Sequence, residues 1–181
     1  MKYKELIVGF LLVLILGVIT FLLLKMKTSK EIVLSVVFLF SFSKVLYVIV
    51  KCFKRIVIIA NIDMPYHRFL LFIAANIGLI VLSFSIDFLA VYHLDKTSFT
   101  GLEETTNVLE EFFKLFYLSL LMFTNMGVAN VVPVKIPAEF LVMFEAIVSF
   151  VTLIFILSDY VTLRDSLKKL KPEKEEKKKL E

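Results

Sequence analysis

The sequence has no Trp, one Cys, two His and only four Pro. Without Trp, an aromatic belt at a membrane interface must be built from Tyr and charged residues. A single Cys, Cys52, excludes an intramolecular disulfide. It lies between Lys51 and Phe53 in a basic segment and reads as a structural thiol, with redox chemistry or palmitoylation the lesser reading. His67 and His93 are isolated, and no group of Cys, His, Asp and Glu has metal-ligand spacing. There is no Gly-rich phosphate loop and no Ser or Cys in a nucleophile context. Neither an enzyme nor a cofactor nor a resident metal is expected.

What is abundant is apolar surface. Of the 181 residues, 59% are hydrophobic and 19 are Phe, and the mean hydropathy is +0.88. A soluble domain of this length is about 45–50% apolar, so the excess points to a lipid bilayer as the partner. The net charge of +4 is uneven, with much of the Lys and Arg between Arg164 and Lys179, where Lys alternates with Glu. That pattern suits a solvated cytoplasmic tail, residues 164–181, with room for an anionic-lipid contact. Nucleic acid is not an expected partner.

A bilayer-spanning helix needs about 20 mostly apolar residues. Leu6–Leu24, Ile32–Val50, Phe69–Val91 and Phe140–Val161 meet that length. The first is too long for a signal peptide and lacks a small-x-small cleavage site, so an uncleaved span is expected. A fifth stretch, Phe112–Phe123, is too short to cross and is followed by an uneven run, Thr124 to Pro133, and then Pro137. Irregular backbone at membrane depth is tolerated only inside protein or beside a water-filled cavity. The expected fold is therefore an all-α integral membrane protein, multi-pass in the cell (plasma) membrane, with a re-entrant helix. Lys2, Lys4, Lys51, Lys54, Arg55, Arg68 and the basic tail outweigh the charge on the other side and place both termini in the cytoplasm. The chain divides into 1–62 (two N-terminal spans and an interfacial linker from Phe53 to Ile62), 63–163 and the tail.

The middle division carries a resemblance. Phe116-Tyr117-Leu118-Ser119-Leu120-Leu121-Met122-Phe123-Thr124 resembles the end of a potassium-channel pore helix. Asn125-Met126-Gly127-Val128-Ala129-Asn130 stands in place of that family's Thr-Val-Gly-Tyr-Gly-Asp filter. Val131-Val132-Pro133-Val134 resembles the exit from it, and Glu145-Ala146-Ile147-Val148-Ser149 resembles the Glu-Ala-Leu-x-Gly stretch of bacterial inner helices. The resemblance covers about Phe69 to Tyr160. It implies a tetrameric potassium-channel-like cation channel: outer helix, pore helix, filter loop and inner helix, assembled as a homotetramer around one axis. Backbone carbonyls there replace the ion's water shell, and pore-helix C-termini contribute partial negative charge.

The filter departs from the family pattern. Ala129 replaces a glycine in left-handed conformation, which costs roughly 1–2 kcal/mol per residue. Val128 replaces the Tyr that braces the filter, Asn125 replaces the innermost Thr, and Asn130 replaces an Asp at the mouth. A wider pore lined by side chains is the consequence, with weak potassium selectivity, extending to non-selective or divalent-permeable conduction. The expected permeant cations are K and Na, with Ca or Mg included because magnesium is commonly held through its waters. Two alternatives remain: a non-conducting accessory or assembly subunit with a degenerate pore, or part of a transporter of related fold.

Glu103, Glu104, Glu110 and Glu111 are candidates for a cation-concentrating outer mouth, against plain helix-start acids at Glu110 and Glu111. Glu145, ionisable inside a membrane helix, is expected to brace the back of the pore helix, as a protonated acid or bonded to a hydroxyl. Ser149 takes the place of a hinge glycine, and Phe150, Leu153 and Leu157 are placed on the inner cavity by the same resemblance. Asp87 reads as an interfacial acid and Lys44 as a snorkelling lysine. A voltage-sensor reading of Lys44, Lys51, Lys54 and Arg55 is disfavoured, because three of the four lie beyond the span.

Overall fold

In the computed structural model the described residues are 3–25, 29–59, 66–102, 107–126 and 130–179. They form five α-helices: α1 (Tyr3–Lys25), α2 (Lys30–Ile59), α3 (Tyr66–Leu94), α4 (Val108–Phe123) and α5 (Ile136–Lys179). Two short strands, β1 (Phe99–Thr100) and β2 (Val132–Pro133), pair antiparallel, Phe99 opposite Pro133 and Thr100 opposite Val132. Two helices carry apolar stretches long enough to cross a membrane, Ile73–Leu94 in α3 and Ile136–Leu157 in α5, and α1 carries a shorter apolar run, Val8–Leu24. Leu6–Leu24 falls inside α1 and Ile32–Val50 inside α2.

α3 is the centre. It touches every other helix, and 56% of its apolar stretch is buried, against 22% for α5. Leu79, Ile80, Val81, Phe84, Phe88 and Val91 of α3 sit in the core with Leu115 and Leu118 of α4 and Leu141 and Val148 of α5. α1 comes close to α3 at Gly17, where a Cβ would lie 2.9 Å from Ile86 Cγ2. Aromatic contacts tie α2 to α5: Phe38 meets Phe140 edge-on at 5.2 Å, and Phe42 stacks on Phe144 at 5.9 Å. Away from this core, α1 exposes Leu11, Ile15, Val18 and Leu22, and α2 exposes Ile32, Leu39, Phe42 and Leu46. Exposed apolar stripes at helical spacing suit a lipid or protein surround.

Phe53–Ile59, read as part of an interfacial linker, continues α2 as one helix through Ile59. The remainder of that segment, 60–62, lies outside the described residues. Pro137, which follows the irregular run, lies in the first turn of α5, where its missing N–H has no intrahelical partner to lose.

Candidate functional site

The site begins at the end of α3. Asp95 caps a short 3-10 turn, Lys96–Ser98, by accepting from Thr97 N at 3.0 Å and Thr97 Oγ1 at 2.7 Å. Its other oxygen takes Lys135 Nζ at 2.8 Å, just ahead of α5. Val134 N donates to Ser98 O at 2.9 Å, extending the β1–β2 pair. Gly101 follows β1 with φ +82, and a Cβ there would stand 1.9 Å from Asn130 O. The chain thus leaves α3, runs out through β1 and α4, and comes back through β2 beside the place it left.

The Lys135 bond, followed by the Thr97 bonds, holds the Asp95 carboxyl well below the usual carboxylate range. A carboxyl so depressed adds stability above its unfolded value, near 3.9, and loses it as pH falls. Lys135→Ala should therefore melt lower than wild type at neutral pH, and the gap should narrow as pH drops below about 4. The pair is exposed, so the shift should be small. Melting curves of both proteins across that range check it.

α4 starts on Asn107, whose Oδ1 accepts from Leu109 N at 3.1 Å. Of the candidate mouth acids, Glu103 and Glu104 lie outside the described residues. Glu110 is exposed and pairs with Lys114 at 3.1 Å. Glu111 does not face the outside: it is 2% exposed, holds Lys96 Nζ at 2.6 Å, and stands 3.1 Å from His93 Nε2. Lys96 also lies 4.1 Å from the centre of the Tyr92 ring. One face of α4 buries Leu115, Leu118 and Ser119, and the opposite face exposes Leu109, Phe113 and Tyr117.

The far end of α4 carries the residues in place of the filter. Thr124, Asn125, Met126 and Asn130 are described and exposed, while Gly127, Val128 and Ala129 lie outside the described residues. Asn125 has φ +55, the left-handed conformation that Asn tolerates better than most residues. Met126 N donates to Leu121 O and Asn125 N to Met122 O, both at 3.1 Å. This is a Schellman cap with Asn125 at its left-handed position. Thr124 N and Oγ1 both bond Leu120 O at 3.0 Å. The carbonyls of Leu120, Leu121 and Met122 are therefore already engaged. Asn125 has a conformational task that its reading as a filter residue did not include.

Buried charge lies behind α4. Lys44 of α2, read as snorkelling, and Asp87 of α3, read as interfacial, are both buried inside the helix bundle. They form an ion pair at 2.6 Å, each 2% exposed. Glu145 of α5 is fully buried and bonds Ser119 of α4. Ser119 Oγ also lies 3.0 Å from Val81 O of α3. Ser149 is buried and donates to Glu145 O at 2.8 Å within an unbroken α5. Phe150 and Leu157 are exposed with Met143, Ile147 and Ile154 on one stripe of α5, and Leu153 at its edge is half-buried.

The Lys44–Asp87 pair and Gly101 were the residues that sequence reading missed. Opposite charges in neighbouring spans were the signal for the first. A lone glycine directly after Phe99–Thr100 was the signal for the second. In comparisons with known proteins, no family model, no curated protein and no solved structure matches this chain.

Proposed function

We propose that the chain is one subunit of a homotetrameric, potassium-channel-like cation channel in the cell membrane. In this reading α1, α2, α3 and α5 cross the bilayer, both termini are cytoplasmic, and α4 enters and returns from the outer side. One observation carries it. Ser119 touches α3 at Val81, about 18 Å of helix below His93, and the chain beyond exposes Thr124 and Asn125 before returning to β2. Within a hydrocarbon core about 30 Å thick, exposed polar backbone must be covered by protein or by a water-filled cavity. Further copies around an axis supply both, and they cover the open stripes of α4 and α5.

The cap on α4 bears on selectivity. With three terminal carbonyls engaged and the exposed Thr124 hydroxyl bonded back to Leu120 O, the helix end offers a bare cation few free oxygens, and the Asn125 side chain is the other exposed polar group described there. An ion that keeps part of its water shell suits such a lining. The reading is passive conduction of K and Na with weak discrimination, extending to Ca or Mg. The same cap also favours the second reading, a non-conducting assembly subunit.

Purified protein in liposomes is the test. Conduction predicts cation flux down a gradient, and bi-ionic reversal potentials that separate K from Na by less than about tenfold, or 1.4 kcal/mol. Absence of flux from cross-linked tetramers would favour the assembly subunit, and strong K selection would overturn the hydrated-ion lining.

A further inference from the structure

α2, α3 and α5 bury two acids against one lysine. Lys44 is taken by Asp87. Glu145 meets no cation among the described residues. The charged groups near it are Asp87 on α3 and, bonded to that, Lys44 on α2, while α4 offers it the Ser119 hydroxyl. Its Oε1 bonds Ser119 Oγ, and its Oε2 is buried with no hydrogen-bond partner among the described residues.

Protons can be counted at Ser119. Its Oγ contacts both Glu145 Oε1 and, at 3.0 Å, Val81 O. A backbone carbonyl only accepts, and a hydroxyl has one proton to give. If that proton goes to Val81 O, the bond to Glu145 needs a proton from the carboxyl. If it goes to a carboxylate instead, Ser119 Oγ meets Val81 O with no proton between them, and Val81 O keeps its bond from Ser85 Oγ at 2.6 Å. Oε2 would then also be a buried anionic oxygen with no partner, an arrangement of high cost. A neutral acid removes both conflicts, because its hydroxyl donates to Ser119 and its unpartnered oxygen is an uncharged carbonyl.

We propose that Glu145 is held as a neutral carboxylic acid whose proton latches α5 to α4 through Ser119, and α4 to α3 through Val81 O. Glu145 is then a positioning residue for α4, and the latch opens when the proton is lost. The protonation does not depend on the conduction reading. Its consequence for flux rests on that reading.

Infrared difference spectra of wild type minus Glu145→Gln, in lipid at neutral pH, test the protonation without any flux. The expected result is loss of the carbonyl stretch of one neutral acid per chain. Loss of a carboxylate band instead overturns the proposal. Should Glu145→Gln fail to fold, Ser119→Ala serves: the acid band should move to higher frequency as its hydrogen bond is lost, and an unmoved or missing band overturns it. A pH profile gives the third readout. Wild type should lose thermal stability, and flux if it conducts, as pH rises into the alkaline range. Glu145→Gln, which still donates to Ser119, should not. Parallel decline of the two proteins would count against the latch.

Discussion

Replacing Lys44 with Met is expected to destabilise the folded chain by about 3–5 kcal/mol, the usual cost of leaving one partner of a buried ion pair uncompensated. Both residues are 2% exposed, Lys44 Nζ meets Asp87 Oδ1 at 2.6 Å, and Asp87 Oδ2 has no hydrogen-bond partner among the described residues. Asp87 would then sit in the core beside Glu145 with no cation to offset it. The pair itself is not expected to be worth that amount, because desolvating two charges consumes most of their attraction. The double variant Lys44→Met/Asp87→Leu should therefore recover to near wild type. Denaturant unfolding of the single and double variants in detergent measures the coupling. Additive losses would show that the two side chains do not share one buried environment.

Gly101→Ala should have the second large effect, and for a different reason. The new Cβ would lie 1.9 Å from Asn130 O and 2.8 Å from its carbonyl carbon, with no rotamer to choose. The left-handed backbone adds roughly 1–2 kcal/mol. Relief requires β1 and β2 to part, which releases Val134 N from Ser98 O and frees the segment that returns from α4. Amide exchange over 130–134 should accelerate about tenfold or more, the equivalent of 1.4 kcal/mol, while the helices keep their protection. In the conduction reading, flux should fall with it. Unchanged exchange in this segment would mean that Gly101 does not set the spacing of the two strands.

Elements with a strong local pattern were legible in the sequence. Phe112–Phe123 reads as a short apolar helix, and α4 runs from Val108 to Phe123. An acid in an apolar helix marked Glu145, but its partner Ser119 is 26 positions away and leaves no periodic trace. Lys44 and Asp87, 43 positions apart, read separately as two interfacial charges, because hydropathy places each charge on its own helix and cannot join them. β1 and β2 are two residues each, too short for alternation to register. Asn125 was read by its side chain, whereas its backbone angle is what closes α4. Glu111 reads together with Glu110 as a candidate mouth acid or helix-start acid. One helical step turns it inward to Lys96.

α5 is a single helix of 44 residues, about 66 Å long, or roughly twice the thickness of a hydrocarbon core. Ser149 stands inside it without a break, so its apolar wall has no pivot of its own there. Pro172, which removes one rung of its ladder, falls far along the tail. The helix is a shaft rather than a pair of levers. A torque applied to the segment beyond Tyr160 would be carried along one unbroken helix to Phe144 and Phe140, where Phe42 and Phe38 hold the shaft in its bearing.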